Sequence, residues 1–342
     1  MAVAQADLLC SACGGQCAYS PRARALVCGS CGTEHTIPHE GATDAARESA
    51  YDVSAPDAPI RETEQVHSCE TCGGSVVIRG AALSERCSYC DGPLVRQLED
   101  VGFEAMALIP FQEEEDVAWR NALSWAAARV AAPKDLVDRV SEGRMATLYA
   151  PFFTFDSTDL VDYWGTYTVK RGKSRIRRRA TGVFETQFDD MLVPASPHIT
   201  PLIRDGILHD FRPETLRPYD PAYLAGFPAE RHHLSVEDGL NAKRRDKDVI
   251  IKNRIERHAG RNLSGIGYKL SSSGIRYRRI LLPVYILHYA YKGRAYKIVT
   301  CGLHGTTFGE RPFAHGKLFA YAAALGAGAI ALGVAYGLAG LP

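Results

Sequence analysis

The sequence predicts an α+β fold with two N-terminal zinc ribbons, a mainly antiparallel β body with flanking helices, and one C-terminal transmembrane helix. Three observations lead to this prediction. A cysteine pattern occurs twice near the start, aromatic and β-branched runs fill the middle, and a long uncharged run ends the sequence. These features divide the 342 residues into ribbon 1 (1–40), a linker (41–66), ribbon 2 (67–97), an α+β body (98–314) and a tail anchor (315–342).

Eight of the ten cysteines form two copies of one metal-ligand pattern. Each copy has two Cys-x-x-Cys pairs separated by 14 residues, and the second copy lies 59 positions after the first. Four thiolates at this spacing can surround one tetrahedral Zn²⁺ and fill its coordination shell, so we expect both ions to be structural. The expected ligands are Cys10, Cys13, Cys28, Cys31, Cys69, Cys72, Cys87 and Cys90.

Other cysteine chemistry stays open but is less favoured. The N-terminal run has neither the basic nor the apolar region of an export signal, so we expect a reducing compartment in which disulfides are rare. Neither copy opens a βαβ pattern, which argues against redox Cys-x-x-Cys chemistry. Cys17 is a spare thiol beside ribbon 1, and His35 and His39 could substitute for one of its ligands, but we interpret all three as ordinary exposed side chains.

Strand and helix patterns alternate along the body. A strand at 107–111 precedes the acidic run 113–116, which we place in the first turn of a helix rather than in a cation site. Further patterns predict a short helix at 135–140 and β structure over 148–193 and 275–309. The body is therefore expected to contain two β regions separated by helices and loops.

Three similar apolar runs within the body each contain a proline, namely Pro110, Pro151 and Pro283. Proline has no N–H to donate to a neighbouring strand, so we expect these segments at strand starts or sheet edges. The similarity of the runs also suggests that the body consists of two related halves.

A charged helix is predicted from Ser235 to about Arg257. Ser235 begins a Ser-x-x-Asp capping box, and Gly260 suits the C-terminal stop. The run 243–247, Lys-Arg-Arg-Asp-Lys, is interpreted as a solvated face of this helix.

A strongly basic segment lies between the aromatic strands of the first β region. Seven of its ten residues are basic: Lys170, Arg171, Lys173, Arg175, Arg177, Arg178 and Arg179. Three interpretations stay open, namely a solvated hairpin tip, contact with anionic lipid headgroups, and contact with nucleic acid. Lipid is favoured over nucleic acid because a membrane segment is predicted downstream.

No catalytic constellation stands out in the sequence. The pairs His209–Asp210 and His232–His233 could be acid–base or metal groups, but no third partner is identifiable for either. We interpret them as surface or locally hydrogen-bonded histidines. A Gly-x-x-x-x-Gly-Lys-Ser/Thr phosphate loop is also absent from the sequence. We therefore expect a protein that is not an enzyme.

The last predicted element is the tail anchor. Residues 318–341 are 24 consecutive uncharged residues. At about 1.5 Å per residue, a helix of this length can cross a bilayer core, which is about 30 Å thick. The alternative is a buried helix of the body. Basic residues precede the run, which favours a cytoplasmic location for the bulk of the chain. Gly333 and Gly337 have the small-xxx-small spacing that permits close helix pairing, and hence homo- or hetero-oligomers.

The chain resembles a bacterial family of double-zinc-ribbon membrane proteins, often labelled primosomal-helicase-like or general-transcription-factor-like. The resemblance covers nearly the whole chain and rests on both ribbons and on the segments 108–111, 132–136, 150–156, 188–196, 219–227, 282–285 and 309–312. It implies a setting at the bacterial inner membrane beside SPFH-domain or phage-shock-protein-A-like proteins. The zinc ligands are the only functional residues that the resemblance assigns to positions of this chain.

These observations favour a non-enzymatic, membrane-tethered scaffold or adaptor that recruits a protein partner through its ribbons. Residues 1–116 contain 19 acidic and 7 basic residues, although the net charge of the whole chain is only +1. An acidic ribbon half repels a polyanion, so nucleic acid is the less favoured partner. The alternative hypothesis is a nucleic-acid-binding ribbon protein related to transcription or replication.

Overall fold

The computed structural model describes residues 8–38, 47–52, 54, 59–62, 66–78, 86–97, 100–208 and 211–338. Its helices are α1 (Glu115–Ala127), α2 (Leu136–Ser141), α3 (Pro201–Leu208), α4 (Val236–Ala259) and α5 (His315–Leu338). Strands near the N-terminus are β1 (Cys17–Ser20), β2 (Ala25–Cys28), β3 (Glu34–His35), β4 (Ser49–Ala50), β5 (Ile60–Glu62), β6 (Val66–Cys69), β7 (Ser75–Val77), β8 (Leu94–Arg96) and β9 (Asp100–Gly102). The later strands are β10 (Ala107–Leu108), β11 (Arg144–Arg171), β12 (Ser174–Pro194), β13 (Arg217–Pro218), β14 (Ala229–Glu230), β15 (Ser264–Tyr291), β16 (Arg294–Cys301) and β17 (Thr307–Gly309).

One large mixed sheet unites the two predicted β regions. Its central strands, β11 and β15, have 28 residues each and run antiparallel from the pair Arg144 and His288 to the pair Thr166 and Ser264. β12 lies along the other side of β11, and β16 along the other side of β15. The pairs β10–β15 and β11–β14 are parallel, so the sheet is mixed rather than purely antiparallel.

One end of the sheet has three strands and is called the arm; it consists of residues 157–171 of β11, 174–187 of β12 and 264–275 of β15. Side chains alternate between the two faces of a strand. On β11, Val161 and Tyr163 are therefore buried against α4, whereas Leu160 and Trp164 are exposed on the opposite face. The arm thus has one face covered by a helix and one face open to solvent.

The prolines of the two central strands do not lie at strand starts or edges as the sequence predicted. Pro151 lies inside β11, opposite Leu281, and Pro283 lies inside β15, opposite Tyr149. Beside Pro151, the neighbour of β11 changes from β14 to β12, and beside Pro283, the neighbour of β15 changes from β10 to β16. A missing N–H is tolerated at such a junction because no strand there requires the donor.

Residues at the helix ends determine where α1 and α4 begin and where α4 ends. Glu115 and Asp116 lie in the first turn of α1, as predicted from the acidic run. Ser235 and Asp238 form the predicted capping box of α4. The helix ends at Gly260, which has a left-handed φ of 65° that glycine adopts without steric cost.

The predicted C-terminal transmembrane helix is wrong. α5 does form a 24-residue helix, but none of the helices in the described parts of the chain is both long and apolar enough to span a bilayer. Eight alanines and five glycines make up more than half of α5. These small residues contribute far less to membrane insertion than leucine, isoleucine, phenylalanine or valine. The prediction failed because it counted uncharged residues and did not consider how apolar each of them is. The predicted location at the bacterial inner membrane required this anchor, so that prediction is wrong as well.

Candidate metal centres

The backbone around the cysteines is folded into four similar turns, which we call knuckles. In the first, the N–H of Gly14 donates to the carbonyl of Cys10 over 2.8 Å. The equivalent bonds of the other three knuckles are 2.9 to 3.0 Å long. Three knuckles use glycine at the position after the second cysteine, with φ between 73° and 76°, whereas the fourth uses Asp91 at a φ of 65°. A side chain at this left-handed φ is unfavourable, and ion pairs of Asp91 with Arg86 and Arg144 hold it in place.

Each pair of knuckles brings four sulfurs together. The eight predicted ligands form two groups, Cys10, Cys13, Cys28 and Cys31 in ribbon 1 and Cys69, Cys72, Cys87 and Cys90 in ribbon 2, and within a group all sulfurs lie within 4.8 Å of one another. The Sγ–Sγ distances that fall within hydrogen-bonding range are 3.4 to 3.7 Å. A zinc tetrahedron with bonds of about 2.3 Å has edges of about 3.8 Å, so both sites fit such an ion. A disulfide requires about 2.05 Å, and none of the ten cysteines, all of which lie in the described residues, forms one.

Ribbon 1 also contains donors that the sequence analysis placed at the surface. Cys17 is buried rather than exposed, and it forms a second group of possible ligands with Cys10 and His35. His35 is half-buried, with Nε2 3.2 Å from Sγ of Cys10, close enough for its N–H to support that thiolate. Burial and the nearby thiolates of Cys28 and Cys10 raise the pKa of Cys17 to about 11, which favours the neutral thiol. His39 lies outside the described residues.

The two ribbons are packed against the body rather than separated from it. In ribbon 1, the Tyr19 hydroxyl donates to the Phe111 carbonyl over 3.0 Å, and the Tyr19 N–H donates to the Ala225 carbonyl over 2.9 Å. In ribbon 2, β7 pairs with β14, which pairs with β11, so its strands continue the main sheet. Both metal sites therefore belong to one folded unit with the sheet.

A further set of contacts fixes the last knuckle of ribbon 2. The Ser88 hydroxyl donates to the Thr147 carbonyl over 2.9 Å, and His288 Nε2 lies 2.9 Å from the Ser88 carbonyl. Burial lowers the pKa of His288 to about 4, so its ring is neutral at pH 7 and donates through Nε2. The metal site is thereby linked to both central strands.

The basic segment lies at the end of the arm. β11 ends at Arg171 and β12 begins at Ser174, so Gly172 and Lys173 form the hairpin turn. All seven basic side chains named above are exposed. Anionic lipid was favoured as their ligand because a transmembrane helix was predicted downstream, and that support is lost. Gly333 and Gly337 lie in α5, with open space around Gly333, and helix pairing there stays a prediction.

An acidic cluster beside the sheet was not identified from the sequence. Carboxylate oxygens of Glu48, Asp156 and Asp190 lie within 4.8 Å of one another. The buried Arg278 forms ion pairs with Glu48, over 3.0 Å, and with Asp190. Burial and the hydrogen bond with Asp156 raise the pKa of Glu48 to about 7. Glu48 lies more than 100 positions before Asp156 and Asp190 in the sequence, so no local pattern could have indicated the cluster.

Two lysines of α4 are buried, although the sequence predicted that they lie on a solvated helix face. Lys243 and Lys247, assigned from the sequence to a solvated helix face, are 2% and 5% exposed. Their spacing of four residues, continued by Ile251 and Ile255, matches the buried stripe of the helix. This periodicity is present in the sequence, but the charged run 243–247 led to the prediction of a solvated helix face.

Of the two histidine pairs, the structure describes His232–His233. His232 is fully buried, and its Nε2 lies 2.9 Å from the Phe152 carbonyl, so it is a locally hydrogen-bonded histidine. Burial lowers its pKa to about 3. His209 and Asp210 lie outside the described residues.

Comparisons with known proteins give one weak relative. The chain is 23% identical over 242 residues to the uncharacterized protein YdjG of Bacillus subtilis (strain 168), which covers 65% of this chain and 67% of that protein. No protein-family model matches the chain, and no solved structure matches it. The cysteine tetrads are compatible with a double zinc ribbon, whereas the resemblance to the membrane-protein family is not confirmed.

Proposed function

We propose that each cysteine tetrad holds one structural Zn²⁺ ion. The donor set supports this, since four thiolates with edges of 3.4 to 3.7 Å match the size and geometry that zinc prefers. All four positions would be filled by protein sulfur. The metals would then stabilise the ribbons, and an open position for substrate would not exist.

We further propose that the chain is a non-enzymatic scaffold that binds a protein partner through ribbon 1. One observation carries this proposal. Residues 11–14 and 29–32, at the tips of the two knuckles, are exposed, although Tyr19 attaches the same ribbon firmly to the body. A surface that is already ordered loses little conformational entropy on binding, which favours a specific partner.

The experiment leaves the ligands intact and changes the exposed tip of ribbon 1. Ser11 and Ala12 are exposed and are not ligands, so the double variant Ser11→Arg, Ala12→Arg should retain two metal ions. The partner to test first is an SPFH-domain protein from the same organism, the class that the family resemblance implies. We expect its affinity to fall at least about tenfold, which corresponds to about 1.4 kcal/mol.

The matched control is Glu185→Arg, an exposed change on the arm that should leave binding unchanged. Equal binding by the wild type and the Ser11/Ala12 variant, both with full metal content, would reject ribbon 1 as the interface. An SPFH-domain protein that does not bind the wild type would reject that partner class.

Nucleic-acid binding is a second candidate, favoured by the exposure of the seven basic side chains at the end of the arm. Phosphate contacts make affinity fall steeply with salt. Under this hypothesis, binding of a labelled single strand should weaken between 50 and 200 mM salt, and further on replacing Arg177, Arg178 and Arg179 with alanine. A scaffold without this activity would show no binding at the higher salt concentration.

A further inference from the structure

A cavity of about 630 Å³ lies between helix α4 and the arm. Ser157 of β11 lines it on one side, the even-numbered residues Tyr268, Leu270 and Ser272 of β15 line another, and α4 closes it. This volume falls within the range of small-molecule sites, which is about 300 to 1,000 Å³. None of the eight metal ligands lines the cavity.

Two buried lysines of α4 converge on this cavity. Lys243 and Lys247 both line it, and their Nζ atoms lie 3.5 and 3.2 Å from the Ser157 hydroxyl oxygen. Two ammonium groups that share one hydroxyl repel each other, especially where little water screens them. Such an arrangement requires negative charge nearby.

The described residues supply only part of that charge. Asp159, fully buried, forms an ion pair with Lys247. Within the described part of the chain, no carboxylate forms an ion pair with Lys243, whose close partners are the Phe155 carbonyl at 3.4 Å and the Ser157 hydroxyl. Its ammonium also lies 5.2 Å from the Phe155 ring centre. Among the described residues, the buried ammonium of Lys243 thus has no direct ion-pair partner.

Two other acidic groups near the cavity do not remove this imbalance. Glu237 lines the cavity but is exposed to solvent, which screens its charge. Asp159 and, less strongly, Asp156 attract Lys243 without forming an ion pair with it, and Asp156 also belongs to the acidic cluster around Arg278. Burial and the charge of Lys247 lower the pKa of Lys243 to about 8, which still leaves the ammonium form dominant at pH 7.

We propose that this cavity binds a small organic anion whose carboxylate or phosphate group is neutralised by Lys243. An anionic group beside Lys243 would supply the missing counter-charge through a charge-assisted hydrogen bond. Arg244, exposed on the same helix, would attract the ligand, and the apolar side chains of Leu240, Leu270 and Ile275 would contact its organic part. The ligand class follows from charge and size and is independent of the proposed protein partner.

Calorimetric titration of the full metal-loaded chain tests the proposal, with phenyl phosphate and benzoate as probes and sodium chloride at equal ionic strength as the blank. We expect saturable binding of at least one probe at one site per chain. The probe that binds more tightly identifies the headgroup class as phosphate or carboxylate. Lys243→Met removes the charge at similar side-chain length and should lower affinity at least about tenfold. Lys269→Met, an exposed change on β15, is the matched control and should bind like the wild type.

Arg244→Gln provides a second variant that should fold regardless of the cavity, because Arg244 is exposed. We expect it to lower affinity several-fold. If Lys243→Met does not fold, Arg244→Gln decides the question. The proposal is overturned if neither probe binds saturably to the wild type. It is also overturned if binding is unchanged both in Arg244→Gln and in a folded Lys243→Met variant.

Discussion

The hydroxyl of Tyr89 donates a hydrogen bond to the carboxylate of Glu230, and both side chains are buried. Tyr89 lies inside the last knuckle of ribbon 2, between Cys87 and Cys90, whereas Glu230 belongs to β14 of the main sheet. Ser196 donates a second bond to the same carboxylate over 2.8 Å. The Tyr89–Glu230 hydrogen bond therefore links a metal site directly to the sheet across 141 positions of sequence.

Tyr89→Phe should loosen that coupling without changing a metal ligand. The variant removes one donor from a buried carboxylate, which is expected to cost about 1–3 kcal/mol of folding free energy. Urea unfolding followed by circular dichroism measures the loss. Release of zinc to a chromogenic chelator should also become faster, because the knuckle is less firmly held.

Tyr291→Phe is the matched control for this variant. Its hydroxyl lies 3.2 Å from the Asp135 carboxylate in an exposed setting, so its removal should change stability by less than about 0.5 kcal/mol. Equal stability of the two variants would show that the Tyr89–Glu230 bond does not contribute to the coupling.

The two metal sites should respond separately to loss of a ligand. Cys87→Ser should reduce the bound zinc from two ions per chain to one, because a serine hydroxyl is a much poorer zinc ligand than a thiolate. Metal binding supplies much of the folding free energy of a small ribbon, so ribbon 2 should become sensitive to protease while ribbon 1 remains resistant. Elemental analysis and limited proteolysis provide the two measurements.

Cys17→Ser is the informative comparison. Cys17 lies beside the first tetrad but favours the neutral thiol, so this variant should keep both zinc ions. Loss of one ion from Cys17→Ser would instead place Cys17 among the ligands of ribbon 1. Retention of two ions by Cys87→Ser would contradict the assignment of the second tetrad.

The features that could be predicted from sequence are those determined by neighbouring residues. A Cys-x-x-Cys turn, a capping box at Ser235 and a left-handed stop at Gly260 each depend on a few consecutive residues, and the structure has all of them. The pairing of β15 with β16 across the short turn Lys292-Gly293 likewise depends on consecutive residues.

The features that sequence missed depend on distant partners. Lys243 was assigned to a solvated surface because its neighbours are charged, yet the strand that buries it, near Phe155 and Ser157, lies almost 90 residues earlier. Pro151 was expected at an edge because its neighbours could not reveal that two strands meet beside it. The transmembrane helix was predicted from the lack of charge in the tail, although more than half of α5 is alanine and glycine, which contribute little to membrane insertion.

Acid should destabilise the protein through His232. Its pKa is about 3 in the folded chain because burial disfavours the charged ring, whereas an unfolded histidine has a pKa of about 6.5. Between these values the unfolded state binds the extra proton, so stability is full above pH 6.5 and is lost as the pH falls towards 3. The contribution is at most about 1.4 kcal/mol per pH unit, measured by urea unfolding at pH 7, 6 and 5.

His232→Gln separates this effect from acid release of zinc. Glutamine can still donate to the Phe152 carbonyl but does not titrate, so the variant should lose less stability on acidification than the wild type. Both proteins keep the same cysteine ligands, and zinc loss therefore affects them equally. Parallel pH profiles for the two proteins would exclude His232 as a source of the acid sensitivity.

Gly239 allows α4 to approach the sheet. A Cβ atom at this position would lie 2.9 Å from the Phe153 ring and 3.0 Å from the Phe155 ring, both of which are fully buried and cannot move aside. Gly239→Ala should therefore destabilise the chain by about 1–3 kcal/mol, even though alanine favours helix by about 1 kcal/mol. Gly326→Ala in α5 is the matched control. Because an added Cβ there meets nothing within 4 Å, its effect should be neutral or stabilising. Equal and favourable effects of the two changes in urea unfolding would mean that α4 lies further from the sheet. The cavity that contains Lys243 would then be wider than 630 Å³, since the same helix forms one of its walls.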